Sequence, residues 1–349
     1  MLLPENGGTN LSRVRWDLSS FPKGSIGVTS FGEGDFELSG SPTEVNEGWI
    51  LAGPAGQYRS EKSSFRAFWL GKPPFDVEAE MSWTAKAYSY LGKSFRYLDP
   101  VPMFRVFMRV LDMQPVGGGT ALTHSFMLSM GTNGPREGVE HIRGIFLHEM
   151  THQWVGGMQG SVGETAWYEE GLTVYYSAVL PLRGGLESVD DYLNEVNQEA
   201  RNYYQSPARN WSAAKIAEVG FADETIRHTP YARGALYFAD LDWKIRQASH
   251  GKSNLDSFLY PIFVERQKGT PLTQQLWEKL LSKELGPQAV ADFRGELVDG
   301  SKTLVPNSGA FGPCFQRESV GIKTSDGQVV TGYHWSRIIG TPDEKCRVW

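Results

Sequence analysis

No apolar run in the sequence approaches the roughly 18 residues a membrane-spanning helix needs, and the opening MLLPENGGTN has too short an apolar part for a signal peptide. A soluble protein is expected. Surplus positive charge is also missing: 34 Lys and Arg stand against 40 Asp and Glu, for a formal net charge of -6. Without a basic face to neutralise a phosphate backbone or an anionic membrane, nucleic acid is not an expected partner. Cysteine is scarce, with only Cys314 and Cys346, both close to the C-terminal end of the sequence. A disulfide between them would staple a stretch rich in Gly, Pro, Ser and Thr that has little apolar periodicity of its own; two unrelated thiols in a reducing compartment are the alternative. The bridge favours a periplasmic or secreted location over the cytoplasm. Internal repeats and low-complexity segments are absent. The first residues read as the middle of a domain rather than as a natural beginning, and oligomeric state is not legible.

What is present is ordinary globular material: 349 residues, 40% hydrophobic and 21% charged, enough for two or three domains. Residues 1–72 hold short apolar or alternating stretches at 25–28, 36–38, 49–51 and 65–70, separated by Gly, Pro, Asn and Ser, which predicts β-structure. The apolar stretch continues at 75–81, a helix is expected around 82–91, and the Phe/Val/Met content of 103–110 suits a buried strand. Helix signals dominate after Met130. Pro135 suits a first helical turn, helical spacing runs over 139–155 until Gly156 and Gly157 stop it, and a second helix is expected over 167–180. Another starts with Thr229 as cap and Pro230 as first position, placing Ala235, Phe238, Leu241 and Ile245 on one face to about Gly251. Helices are also expected at 189–204, 255–267 and 272–285. The fold class is therefore α+β, β-rich first and mostly helical in the C-terminal half, with an irregular tail at 309–349.

The segment with most chemical content reads HEMTHQW, with His148, Glu149 and His152. Histidines four apart on a helix share one face, so both imidazoles reach one ion while Glu149 points beside it. One zinc ion suits this pair, and catalytic zinc takes three protein ligands while leaving a position for water. Glu170, in WYEEGLTVYY, follows His152 after 17 residues, enough for a loop that turns a second helix back on the first. His141 lies two turns before His148 on nearly the same face, but roughly 10 Å along the axis is too far for one ion.

HEMTHQWVGG followed by WYEEGLTVYY resembles the gluzincin metallopeptidases, in particular the aminopeptidase N family and the related glycyl aminopeptidase family. HTPYARGALYFADLDWKIRQASHGKSNLDSFL is similar to the glycyl aminopeptidase pattern of a Tyr-x-Lys/Arg-Gly helix with an Asp-x-x-Ile-Arg stretch and a following turn. The likeness covers about residues 75–305, and RWDLSSFP is similar to the end of that family's N-terminal β-domain. It implies three segments: 1–72 as the end of a β-domain, 73–308 as a thermolysin-like, gluzincin-type catalytic domain, and 309–349 as the tail. It also implies that Tyr231 is the tyrosine that hydrogen-bonds the reacting carbonyl oxygen; simple first-turn packing is the alternative for that side chain.

Two departures stand out. The interval from His152 to Glu170 is one residue shorter than in the aminopeptidase N family, which makes Glu169 a rival third ligand, although Glu-Gly-Leu is where both families place it. These families also carry a Gly-rich strand with a Glu that grips the substrate's free amine. Here the stretch reads VGGGTALTHSFML, and Ala121 or its neighbour Thr120 stands where that Glu is expected. Gly118, Gly119, Thr120 and Ala121 remain candidates for pairing with a peptide backbone, while the amine anchor is lost unless Glu164 or Glu169 reaches in.

The expected activity is zinc-dependent, aminopeptidase-like peptide hydrolysis, with Glu149 activating a zinc-bound water and Tyr231 donating to the developing oxyanion. The alternatives are a peptidase acting on blocked or internal bonds, another zinc hydrolase such as an epoxide or ester hydrolase, and an inactive zinc-containing module that binds peptides without cutting them.

Overall fold

The computed structural model describes residues 8, 10–98, 100–112, 118–132, 139–324 and 327–349, without the side chains of residues 139–141 and 221. The expectations for the first residues, for Pro135 and for the His141 side chain lie outside the described residues. Contacts divide the chain into two compact units, Met1–Gln153 and Trp154–Trp349.

In the first unit, the N-terminal strands among the described residues are β1 (Asn10–Val14), β2 (Ile26–Thr29), β3 (Gly32–Glu33), β4 (Phe36–Gly40), β5 (Ile50–Gly53), β6 (Gly56–Arg59) and β7 (Phe65–Leu70). Helix α1 (Val77–Phe95) and strands β8 (Phe104–Leu111), β9 (Gly119–Leu122) and β10 (Ser125–Gly131) follow, and then α2 (Val139–Thr151). The main sheet has the order β6-β7-β8-β10-β9, with β8 parallel to both neighbours and β9 antiparallel to β10 at the edge. A parallel β7–β8 pair needs a crossover, and α1 supplies it.

Strand alternation gives this sheet two apolar faces. Phe68 and Phe107 lie with Val28 and Leu51 in one cluster, to which Trp49 and Met127 are added. On the opposite face Phe104 stacks on Tyr88 of α1 at 4.8 Å, and Phe126 meets Phe146 of α2 at 5.5 Å. Thus α1 and α2 lie on the face carrying Phe104 and Phe126. The 75–81 stretch is corrected: Asp76 caps α1, its carboxylate accepting the Ala79 N–H at 3.1 Å, so the apolar residues behind it are the first turns of a helix. A short apolar run fits strand and helix alike, and the cap decides between them.

The second unit is mostly helical: α3 (Val162–Gly184), α4 (Val189–Gln205), α5 (Ala213–Val219), α6 (Glu224–Arg227), α7 (Thr229–Ala248), α8 (Leu255–Gln267), α9 (Gln274–Leu285) and α10 (Pro287–Phe293). Buried Trp167, Tyr168, Phe238, Trp277 and Phe293 form its aromatic centre, with edge-to-face contacts such as Trp167–Trp277 at 5.6 Å. His228, rather than Thr229, is the residue before α7.

The tail is not irregular. Strands β11 (Phe315–Lys323) and β12 (Val329–Arg337) form an antiparallel hairpin, docked on α4 by Asn197, which donates to the Trp335 carbonyl and accepts from its N–H, both at 2.8 Å. The expected Cys314–Cys346 disulfide is present, with both cysteines fully buried. Closing a loop of this length stabilises the folded chain by about 3–4 kcal/mol in the chain-entropy picture. Among the described residues, no helix is long and apolar enough to cross a membrane.

Candidate metal centre

His148 and Glu149 occupy the last turn of α2, and His152 follows one residue past its end, where its N–H still reaches the His148 carbonyl at 3.3 Å. The two Nε2 atoms stand 3.2 Å apart, with the rings at 86°. Two neutral acceptor nitrogens repel at that distance unless they share a proton or a cation. Tetrahedral zinc with Zn–N bonds of about 2.0–2.1 Å separates its nitrogens by roughly 3.3 Å, so this pair fits one ion. A carboxylate oxygen of Glu170 completes the set: one ligand atom from each of His148, His152 and Glu170 lies within 4.8 Å of the others.

Glu149 is nearly buried, and β9 holds it there. A Cβ built on Gly119 would fall 2.4 Å from the Glu149 Cγ, so the carboxylate side chain lies directly against a backbone bare of side chain. Gly118 has φ +151°, a conformation side-chain-bearing residues rarely adopt. The register of β9 on β10 separates Thr120 from Ala121. Thr120 stands opposite Met127 and so faces the Trp49 side, where the indole N–H donates to the Thr120 carbonyl at 3.0 Å. Gly119 and Ala121 stand opposite Leu128 and Phe126, on the face that carries α2. Ala121, not Thr120, is therefore the β9 side chain on the Glu149 side, and it is a methyl group.

In the second unit, α3 and α7 cross with their backbones in contact. A Cβ on Gly234 would lie 2.2 Å from the Trp167 carbonyl, and one on Gly171 would lie 2.4 Å from the Gly234 Cα. The crossing falls one residue after Glu170 and three after Tyr231, so it sets both. Glu169 points elsewhere: its Oε2 lies 3.0 Å from the position of a Cβ on Gly157. Glu164 is exposed in the first turn of α3.

Tyr231 is half-buried in the first turn of α7, and its ring meets that of His228 at 5.1 Å and 83°. Arg227 reaches His228 Nε2 at 3.0 Å and is gripped by Glu224 through two N–H groups, at 2.9 and 2.7 Å. The Glu224 hydrogen bond holds the Arg227 guanidinium above its ordinary pKa, and Tyr231 and Glu170 act in the same direction. Both therefore lie within electrostatic reach of Arg227. Glu224 in turn is held below the usual carboxylate range by its bond to Arg227. Arg227, His228 and the two crossing glycines were not singled out as functional from the sequence. The Glu-Gly and Tyr-x-Arg-Gly pairs were the available signal for the glycines.

The family model for M61 glycyl aminopeptidases matches residues 141–237. No curated protein matches by sequence. Among solved structures the chain is similar to an aminopeptidase N family protein from Idiomarina loihiensis, with TM-score 0.67 and 14% identity, over 87% of this chain and 58% of that one. It is also similar to an M1 zinc metallopeptidase mutant from Deinococcus radiodurans bound to a Tyr-Ser-Ala substrate, with TM-score 0.53 and 18% identity, over 85% of this chain and 65% of that one. Leukotriene A4 hydrolase from yeast in complex with bestatin gives 0.54 and 14%, over 87% and 48%. The chain thus spans about half to two thirds of the length of these proteins and shares the fold of the part it matches.

Proposed function

We propose that the chain is a zinc metallopeptidase that hydrolyses peptides in the aminopeptidase-like manner of the proteins it resembles. The observation that carries the reading is the His148–His152–Glu170 group, whose donor types are those of catalytic zinc and whose nitrogens stand at the separation a tetrahedral ion requires. His148, His152 and Glu170 would hold one zinc ion, which supplies Lewis acidity and makes water acidic enough to attack near neutral pH. Glu149 takes the proton from the attacking water and returns it to the leaving amine; a carboxylate beside a cation stays ionised and is suited to both transfers. Tyr231 donates to the carbonyl oxygen as charge develops there. Gly118, Gly119 and Ala121 line the strand along which the peptide lies. The segment 73–308 acts as the catalytic part, in a periplasmic or secreted setting suited to the disulfide.

A second reading, cleavage of blocked or internal bonds, is favoured by the methyl group of Ala121 on the Glu149 side of β9, which offers a substrate ammonium nothing to pair with. The test of the main reading is metal analysis of the purified protein together with hydrolysis of a panel of dipeptide amides. About one zinc per chain, loss of turnover with a chelator and its return with added zinc are expected. A metal-free or fully chelator-resistant activity would refute it.

A further inference from the structure

We propose that His228 is a positioning residue for Tyr231, held in one tautomer by Arg227. The proposal rests on the reading of Tyr231 as a donor to the substrate carbonyl oxygen. Arginine offers only N–H groups, so the 3.0 Å contact between Arg227 and His228 Nε2 requires that this nitrogen accept and that the imidazole be neutral, its proton on Nδ1. A protonated ring would lose that bond and place two cations side by side.

The chain before and after His228 is held by hydrogen bonds. Asp223 caps α6 by accepting the Thr225 and Ile226 N–H groups at 2.9 and 3.1 Å, and Glu224 clamps Arg227. On the far side, Thr229 is tied to Ser206 at 2.6 Å and to the Thr225 carbonyl at 3.3 Å. The backbone on both sides of His228 is thus tied down, while its own side chain is exposed. Tyr231, three residues on, lies on the same side of the helix, and the perpendicular ring contact limits where its phenol can swing. A hydroxyl that must meet an oxygen only as charge builds there gains from such restriction, because an error of about 1 Å costs up to roughly a hundredfold in rate.

The experiment is a double-mutant cycle between His228→Ala and Tyr231→Phe, with His228→Phe and Arg227→Met as companions, read as kcat and KM on a dipeptide amide. Calorimetric Kd for a phosphonamidate peptide, zinc content and thermal unfolding are measured alongside. His228→Ala is expected to lower kcat about tenfold with KM within about twofold, to weaken the phosphonamidate comparably, and to leave zinc content unchanged. His228→Phe, which keeps a ring against Tyr231, should recover to within about threefold of wild type. Arg227→Met should lower kcat by about threefold, and His228→Ala should cost less than about twofold in a Tyr231→Phe background. A silent Tyr231→Phe would remove the reading beneath the proposal. With Tyr231→Phe strongly impaired, a silent His228→Ala, or a full additional loss in the double variant, would overturn the proposal alone.

Discussion

Each of the two compact units holds its own candidate residues, and the two do so by opposite means. In the first, a side chain approaches bare backbone: Glu149 lies against Gly119 at the edge of a sheet, a contact one methyl group would break. In the second, backbone meets backbone: α3 and α7 touch at Gly171 and Gly234, deep among buried residues, and the helices carry Glu170 and Tyr231 with them. An edge strand is a low-cost place to disturb, and a packed helix crossing is not. The first unit should therefore fail in catalysis before stability, and the second in stability before catalysis.

The largest effect expected is at the ligand itself. Glu170→Ala should lose the metal and all measurable turnover, whereas Glu169→Ala, whose carboxylate lies toward Gly157, should keep most of both. The reverse pattern, read by zinc analysis, would reassign the third ligand. Next, Gly119→Ala should push Glu149 aside and lower kcat roughly 10- to 100-fold while zinc content and melting temperature barely move. A drop in melting temperature with unchanged kcat would erase the contrast between the units. Gly234→Ala should do the converse, since its Cβ would strike backbone atoms that no rotamer change can clear. We expect destabilisation of roughly 2–3 kcal/mol, seen as a fall of about 4–10 °C in the thermal midpoint. The smallest effect concerns the end of the substrate. With a methyl group at Ala121, acetylating the peptide's amine should change kcat/KM by less than about tenfold. A free-amine preference above about a hundredfold, surviving in both Glu164→Ala and Glu169→Ala, would show an anchor elsewhere.

The parts visible in the sequence are mostly local. The HEMTHQW helix and α8 at Leu255–Gln267, capped by Asn254, follow from neighbours along the chain, while the disulfide joins residues 32 apart and was legible as the single pairing open to two cysteines. What was not visible depends on partners far away. The hairpin β11–β12 packs on α4 through Asn197, Tyr192 and Tyr204, partners more than a hundred residues earlier in the chain. The ambiguity between Thr120 and Ala121 needed the register of β10, since one residue of slip exchanges the two faces. Gly171 and Gly234 could be read as ordinary motif glycines, but their meeting could not. Arg227 is the exception: its partners Glu224 and His228 are neighbours along the chain, but a lone arginine in a four-residue helix carries no pattern that singles it out.

The central claim is that this group of residues holds zinc and that Glu149 moves the proton, and it is tested most directly by Glu149→Gln. That change keeps the three metal-holding side chains and nearly the same volume against Gly119 while removing the base. The account predicts about one zinc per chain, as in the wild type, with hydrolysis reduced by at least about two orders of magnitude across the pH range. Full zinc occupancy with undiminished turnover would contradict it.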